Sequence, residues 1–257
     1  MPQTARLPTD PAHHQRISDT EVQTVPDLLL YLAGGIGLFL LASAGIGHLT
    51  QEYSVMTLFL LAIAGAVFLG GSVLYLGVLS GKTNWQAIGL WPLQWQSQWL
   101  LLIITVVALL IPIRSAVAVF FQILFEGNLE SMLIRQSLLL GNQEFAWFEF
   151  LISFISVAVM APFFEELYFR GLLHRWFRAR WQMWPAVFAS SAIFGLAHFD
   201  SAGVAVSSFI LGIVMAFAYE KTGSLWISIA MHAFNNSLGI ILAYLVTYLP
   251  LTHPVIP

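Results

Sequence analysis

From Trp99 to Phe125 the chain is one apolar run broken by a single charge, Arg114. Crossing ~30 Å of hydrocarbon takes ~20 predominantly apolar residues, and this run exceeds that. Six other stretches have the same character. Seven spans are therefore expected, over about 28–48, 54–80, 99–124, 147–172, 183–199, 203–220 and 224–249. The fifth and sixth sit at the low edge of crossing length. The fold class that follows is all-α, a polytopic transmembrane helical bundle with interfacial amphipathic helices.

Composition agrees with that solvent. Of 257 residues, 58% are hydrophobic and only 9% charged, too few charges to keep a soluble domain of this size dispersed. The formal charge of −3 comes with scattered basic residues that form no stripe for nucleic acid. Cysteine is absent, which removes disulfides, thiolate metal sites and a Cys nucleophile.

Residues 1–26 are polar and punctuated by Pro2, Pro8, Pro11 and Pro26. They read as a loosely held tail, and residues 250–257 as a second one. No apolar run precedes Leu28 and no small-residue cleavage pattern follows it, so the first run is expected to be a retained span. His13 and His14 in the tail read as solvated rather than as a metal pair. Residues 27–146 form an N-terminal membrane region with interfacial segments, and 147–249 a second region. Gly34, Gly35, Gly70, Gly71 and Pro112 fall inside spans, where small residues let helices approach closely. No internal repeat supports an inverted-repeat transporter.

Lysine and arginine give an orientation. Seven spans place Arg6, Arg16, Lys82, Arg175, Arg178, Arg180 and Lys221 on one side. The other side holds Arg135 among Glu126, Glu130 and Glu144. The expectation is a cytoplasmic N-terminus, an outward C-terminus and residence in the cytoplasmic membrane of a prokaryote. Trp85, Trp91, Trp95 and Trp99 lie among Gln and Ser, the last three at helical spacing. They predict an interfacial helix leading into the third span, since indole rings favour the headgroup layer. Residues 128–144 are a second amphipathic segment, on the opposite side.

A charge at membrane depth costs ~2.5–3.5 kcal/mol on insertion scales, so each one needs a reason. The fourth span carries Glu165, Glu166 and Arg170. Glu166 and Arg170 are four apart in the favourable acid-before-base order and are expected to pair. Glu165 lies ~100° around the helix and keeps no such partner, the condition of a general base. The same doublet would equally serve to balance Arg175, Arg178 and Arg180 at a helix end. Phe194 and His198 share a face, as do His232 and Asn236. A Glu, two His and an Asn make a peptidase-like set of base, partner and oxyanion donors. Arg114 reads either as lining the cavity or, the favoured reading, as the partner of a carboxylate beside the Pro112 kink.

The series Glu165-Glu166-x-x-x-Arg170, Phe194-x-x-x-His198 and His232-x-x-x-Asn236 resembles the motifs of the CPBP family, the CAAX proteases and bacteriocin-processing enzymes. The resemblance covers roughly Pro162 to Asn236. It implies a membrane-embedded endopeptidase whose catalytic helices occupy 147–249. Carried over by position, Glu165 and His198 activate water, His232 and Asn236 stabilise the tetrahedral intermediate, and Glu166, Arg170 and Phe194 support them. The substrate implied is a membrane-associated protein or peptide, the other partner is the lipid bilayer, and no cofactor is expected. A metal-dependent version would use Glu165, His198 and His232 on Zn²⁺. Two other classes stay open: a non-catalytic scaffold or assembly factor of the same fold, and a proton-coupled transporter. With perpendicular spans, Glu165 and His198 fall near opposite ends of neighbouring helices. They meet only if helices tilt, if the fourth projects beyond the bilayer, or if the fifth starts lower.

Overall fold

The computed structural model describes residues 23–50, 54–91, 97–140, 146–199 and 201–248. The tails with His13 and His14, Trp95, and the end of the second amphipathic segment with Glu144 lie outside the described residues. Eight helices and no strand occur among the described residues. They are α1 (Val25–Thr50), α2 (Val55–Leu79), α3 (Ser97–Glu126) and α4 (Glu130–Leu140), then α5 (Trp147–Arg178), α6 (Met183–Leu196), α7 (Ala202–Thr222) and α8 (Leu225–Tyr248). All but α4 and α6 are long and apolar enough to cross a membrane. Leu101, Leu109 and Val246 stay largely exposed on them, as lipid-facing side chains must. The protein is thus an all-α, multi-pass membrane bundle.

Three expectations need correction. The first helix opens at Val25, inside the segment read as tail. The Thr24 N–H and hydroxyl both donate to Asp27 Oδ2, and Pro26 fits the first turn, where its missing N–H costs nothing. The fifth span is the 14-residue α6 followed by a turn through 197–199. At 1.5 Å per residue it rises ~21 Å, short of ~30 Å of hydrocarbon. The interfacial helix expected from Trp85 onward is a run of turns up to Trp91. Gly89 adopts φ +89°, which breaks a right-handed helix, and its backbone lies too close to Gly223 O and Leu225 N for any side chain. The loop is fastened by main-chain acceptors: Leu225 N donates to Gly89 O, Tyr219 Oη to Ile88 O, and Arg175 Nη1 to Ala87 O. The second amphipathic segment does form α4. Its last carbonyls, those of Leu139 and Leu140, accept from Ser153, Tyr244 and Tyr248.

The helices meet through small residues. Gly35 lies against the Tyr168 ring, Gly203 against Ala118 O and Gly195 against Ala205 O. At Gly70 a Cβ would come within 2.6 Å of Phe164. Such contacts let backbones approach where no hydrophobic drive separates helix from lipid. In α5, Pro162 removes one N–H from the ladder. The preceding turns, Phe154–Met160, widen to π-helical spacing, and Phe169–His174 does so again beyond the Glu doublet.

The opposed-ends difficulty resolves through helix length. α5 continues to Arg178 instead of ending near 172, so Glu165 lies past its middle. The stretch from Glu165 to Arg178 rises ~20 Å, about what α6 climbs from its start at Met183. The register is pinned lower down. His174 Nε2 meets Glu220 Oε1 at 2.8 Å, His174 Nδ1 meets Ser190 Oγ at 3.0 Å, and Arg178 Nε donates to Glu220. Eight residues, or ~12 Å, toward the other end of α5 and α7 stand Glu166 and Gly212, with His198 in the turn that ends α6. The chemistry forms an upper tier over this lower one.

Candidate active site

The upper tier centres on Glu166, which is fully buried. Its Oε1 accepts Arg170 Nη1 at 2.8 Å from one helical turn away and His232 Nδ1 at 2.9 Å from α8. Arg170 Nη2 also donates to Gly212 O on α7 at 3.0 Å. The guanidinium lies 4.6 Å above the Phe194 ring, a cation–π contact strengthened by desolvation. That ring is a hub. It packs at 4.9 Å from His198 and edge-on at 5.7 Å from His232. Phe194 therefore touches both imidazoles and the cation, more than the wall for His198 that spacing alone suggests.

Glu165 behaves differently from its neighbour. Its side chain keeps 19% exposure, and its Oε2 has no hydrogen-bond partner and stands 3.9 Å from His232 Nε2. One carboxylate is fully buried in an ion pair, while the other is partly exposed and held by no hydrogen bond at Oε2. His198 lies in the turn after α6, and its Nδ1 sits 2.8 Å from the Phe194 carbonyl. A carbonyl only accepts, so Nδ1 carries the proton and a neutral ring has its lone pair on Nε2. Asn236, one turn beyond His232, donates Nδ2 to Val157 O at 2.9 Å.

Arg114 does not pair with a carboxylate as the sequence suggested. Its Nε donates to Ser207 O at 2.9 Å and its Nη1 to Asn235 Oδ1 at 2.7 Å. The polar residues unread in the sequence are Asn235, the Gly212 carbonyl and the His174–Ser190–Glu220 row. Asn235 had a signal, since it adjoins Asn236 and is a second amide inside a span. Glu220 and His174 are ionisable groups within apolar segments, the same signal that exposed Glu165. Their row orders a hydroxyl, an imidazole and a carboxylate as a nucleophilic relay would. Ser190, His174 and Glu220 are at most 2% exposed, so no substrate reaches them and the row is a fastening. Among the described residues no three His, Asp or Glu side chains converge as a metal-ligand set.

An apolar cavity of ≈ 580 Å³ lies beside the site, between α2, α5 and the 85–90 loop. Phe163, Phe164 and Leu167 form its α5 wall, with Gly70, Tyr75 and Trp85 opposite. Phe164 immediately precedes Glu165.

Comparison with known proteins bears on the same residues. A curated Escherichia coli protein, described as an uncharacterized 24.3 kDa protein, is 26% identical over 95 residues, which cover 35% of this chain. The match spans 44% of that relative's length. No solved structure matches the chain. Residues 146–238, which hold every member of the upper tier together with Asn236, match the family described as Type II CAAX prenyl endopeptidase Rce1-like, a CAAX-type family as the motif series implies.

Proposed function

We propose that this chain is a CAAX-type intramembrane endopeptidase that hydrolyses a peptide bond of a membrane-associated protein or peptide. The observation that carries the reading is the division of labour in the Glu doublet. Glu166 Oε1 is spent on Arg170 and His232, whereas Glu165 keeps 19% side-chain exposure and its Oε2, without a hydrogen bond, has only the His232 ring 3.9 Å away.

In this reading water lies between Glu165 and Nε2 of His198, and loses a proton to them as its oxygen attacks the scissile carbonyl carbon. The carbonyl oxygen becomes an oxyanion held by His232 Nε2 and Asn236 Nδ2. The carbon–nitrogen bond then breaks, and the proton held by the Glu165–His198 pair passes to the departing amine. For His232 to donate at Nε2 while Nδ1–H is given to Glu166, the ring must be an imidazolium. Two carboxylates and one guanidinium leave a single negative charge in the cluster, which that imidazolium balances. Among the described residues no three side chains assemble a metal-ligand set, and in this reading Glu165 and His198 act on water directly. The apolar cavity beside Phe164 takes the greasy part of the substrate, which brings the adjoining peptide to Glu165.

The test is cleavage of membrane-associated reporter peptides by detergent-purified protein beside the Glu165→Gln variant. That change keeps the shape and removes the proton acceptor, so turnover falls by ~10²–10⁴ with the fold intact. Near-normal turnover in the variant sinks the role given to Glu165, and no cleavage of any peptide by the native chain sinks the assignment.

A further inference from the structure

Arg114 is a cation at span depth whose hydrogen-bond partners are all neutral: the Ser207 carbonyl and the Asn235 side chain. Beyond Asn235 the contacts continue in a line. Asn235 Nδ2 donates to Asn236 Oδ1 at 3.0 Å, and Asn236 Nδ2 donates to Val157 O at 2.9 Å. The two ends of this line are chemically one-sided. A guanidinium has five N–H groups and accepts nothing, and a backbone carbonyl accepts and donates nothing. An amide side chain placed between ambiguous neighbours can turn either way. Here Arg114 forces an oxygen to face it, which turns the Asn235 N–H toward Asn236. That N–H forces the Asn236 oxygen to face back, and Val157 demands the Asn236 nitrogen at the far end. Both amides are therefore oriented from both directions, and the second Nδ2 hydrogen of Asn236 is left to give.

We infer that Arg114 is a positioning residue of the reaction, which acts through Asn235 to hold the Asn236 amide with its N–H presented to the oxyanion. The inference rests on the peptidase reading of the site. A purely structural role, tying α3 to α7 and α8, makes a different forecast, and Asn235→Asp separates the two. Aspartate still accepts from Arg114 and supplies the counter-ion it lacks, so a structural role leaves this variant as stable and as active as the native chain. It has no N–H for Asn236, however, so the line breaks at its middle.

The experiment compares the native chain with Arg114→Met, Arg114→Lys and Asn235→Asp. Each is assayed for peptide cleavage and thermal stability, and the Asn236 side-chain amide is followed by ¹⁵N NMR, its signal identified by its loss in Asn236→Ala. In Arg114→Met and Asn235→Asp, kcat should drop at least about tenfold, less than the ~10²–10³ that loss of a whole oxyanion donor costs, with KM nearly unchanged. The Asn236 amide signal should move in both, and Arg114→Lys, still a pure donor, should recover most of kcat. Native kcat in Asn235→Asp, or an unmoved Asn236 signal in both variants, overturns the inference. Should the native chain cleave no peptide, the peptidase reading fails. The amide signal then decides the line of hydrogen bonds by itself: movement in both variants upholds it and no movement overturns it.

Discussion

His232 Nδ1 lies 2.9 Å from Glu166 Oε1, and that one contact decides which way the ring presents its other nitrogen. Nε2 is turned to Glu165, 3.9 Å away. An apolar side chain at 166 would remove both the anchor for the ring and the counter-charge for Arg170. The doublet therefore sets a fully buried, ion-paired carboxylate beside a partly exposed one on adjacent positions of one helix, with ~100° of rotation between them.

Breaking the ion pair tests the structural half. Arg170→Ala leaves Glu166 buried without its cation, at a cost of ~3–5 kcal/mol, and strips contacts from Phe194 and Gly212. Yield and thermal stability in detergent should both fall along with activity. The double variant Glu166→Gln, Arg170→Ala should regain part of the stability, because no unpaired charge remains. An Arg170→Ala protein as stable as the native chain contradicts a closed pair.

Asn236→Ala tests the oxyanion donor. Its amide nitrogen donates to Val157, so some local loosening of α8 against α5 accompanies the loss. The main effect should fall on turnover, by ~10²–10³, with substrate binding largely kept. A raised KM at unchanged kcat would make Asn236 a binding residue instead.

Metal content separates the two chemistries that the resemblance implies. Purified protein should carry substoichiometric zinc and keep its activity in chelators. A zinc site would lose metal in His198→Ala or His232→Ala, and chelation would stop cleavage until zinc returned. Stoichiometric metal lost together with activity in His198→Ala replaces the mechanism and spares the peptidase assignment.

Orientation can be read with single cysteines, since the chain has none of its own. The basic residues predict that Ser80→Cys, beside Lys82, and Ala179→Cys, beside Arg178 and Arg180, face the cytoplasm. Asn128→Cys, in the turn before α4, should face outward. An impermeant thiol reagent applied to intact cells should label Asn128→Cys and spare the other two. The reverse pattern inverts the topology.

The sequence made the spans legible because lipid imposes one length and one polarity on them, and the long helices fall within a few residues of where apolarity places them. It made the Glu doublet, both histidines and Asn236 legible because polar groups at membrane depth stand out. What it could not show was height. Apolar periodicity says nothing of how far α5 projects, so Glu165 and His198 seemed misaligned until its end at Arg178 was known. Nor could it show that Gly89 turns left-handed to pass Gly223, a tertiary requirement that stops a helix from running on from Trp85. Arg114 was visible as a charge in want of a partner, but the partner is an amide, which carries no charge to betray it.

The paired tiers also decide where the molecule can yield. α5, α6 and α7 are clasped at two heights ~12 Å apart, by His174–Ser190–Glu220 below and by the Glu166–Arg170–Gly212 contacts with the Phe194 ring above. One clasp would leave a helix able to swivel or slide; two remove both freedoms. On the peptidase reading, clearance for an incoming polypeptide then comes from α2, which meets Phe163 and Phe164 through apolar contact, because the 85–90 loop is itself tied to α5, α7 and α8. On that reading entry is a sideways parting of α2 from the bundle, and the doubly clasped helices stay still while it happens.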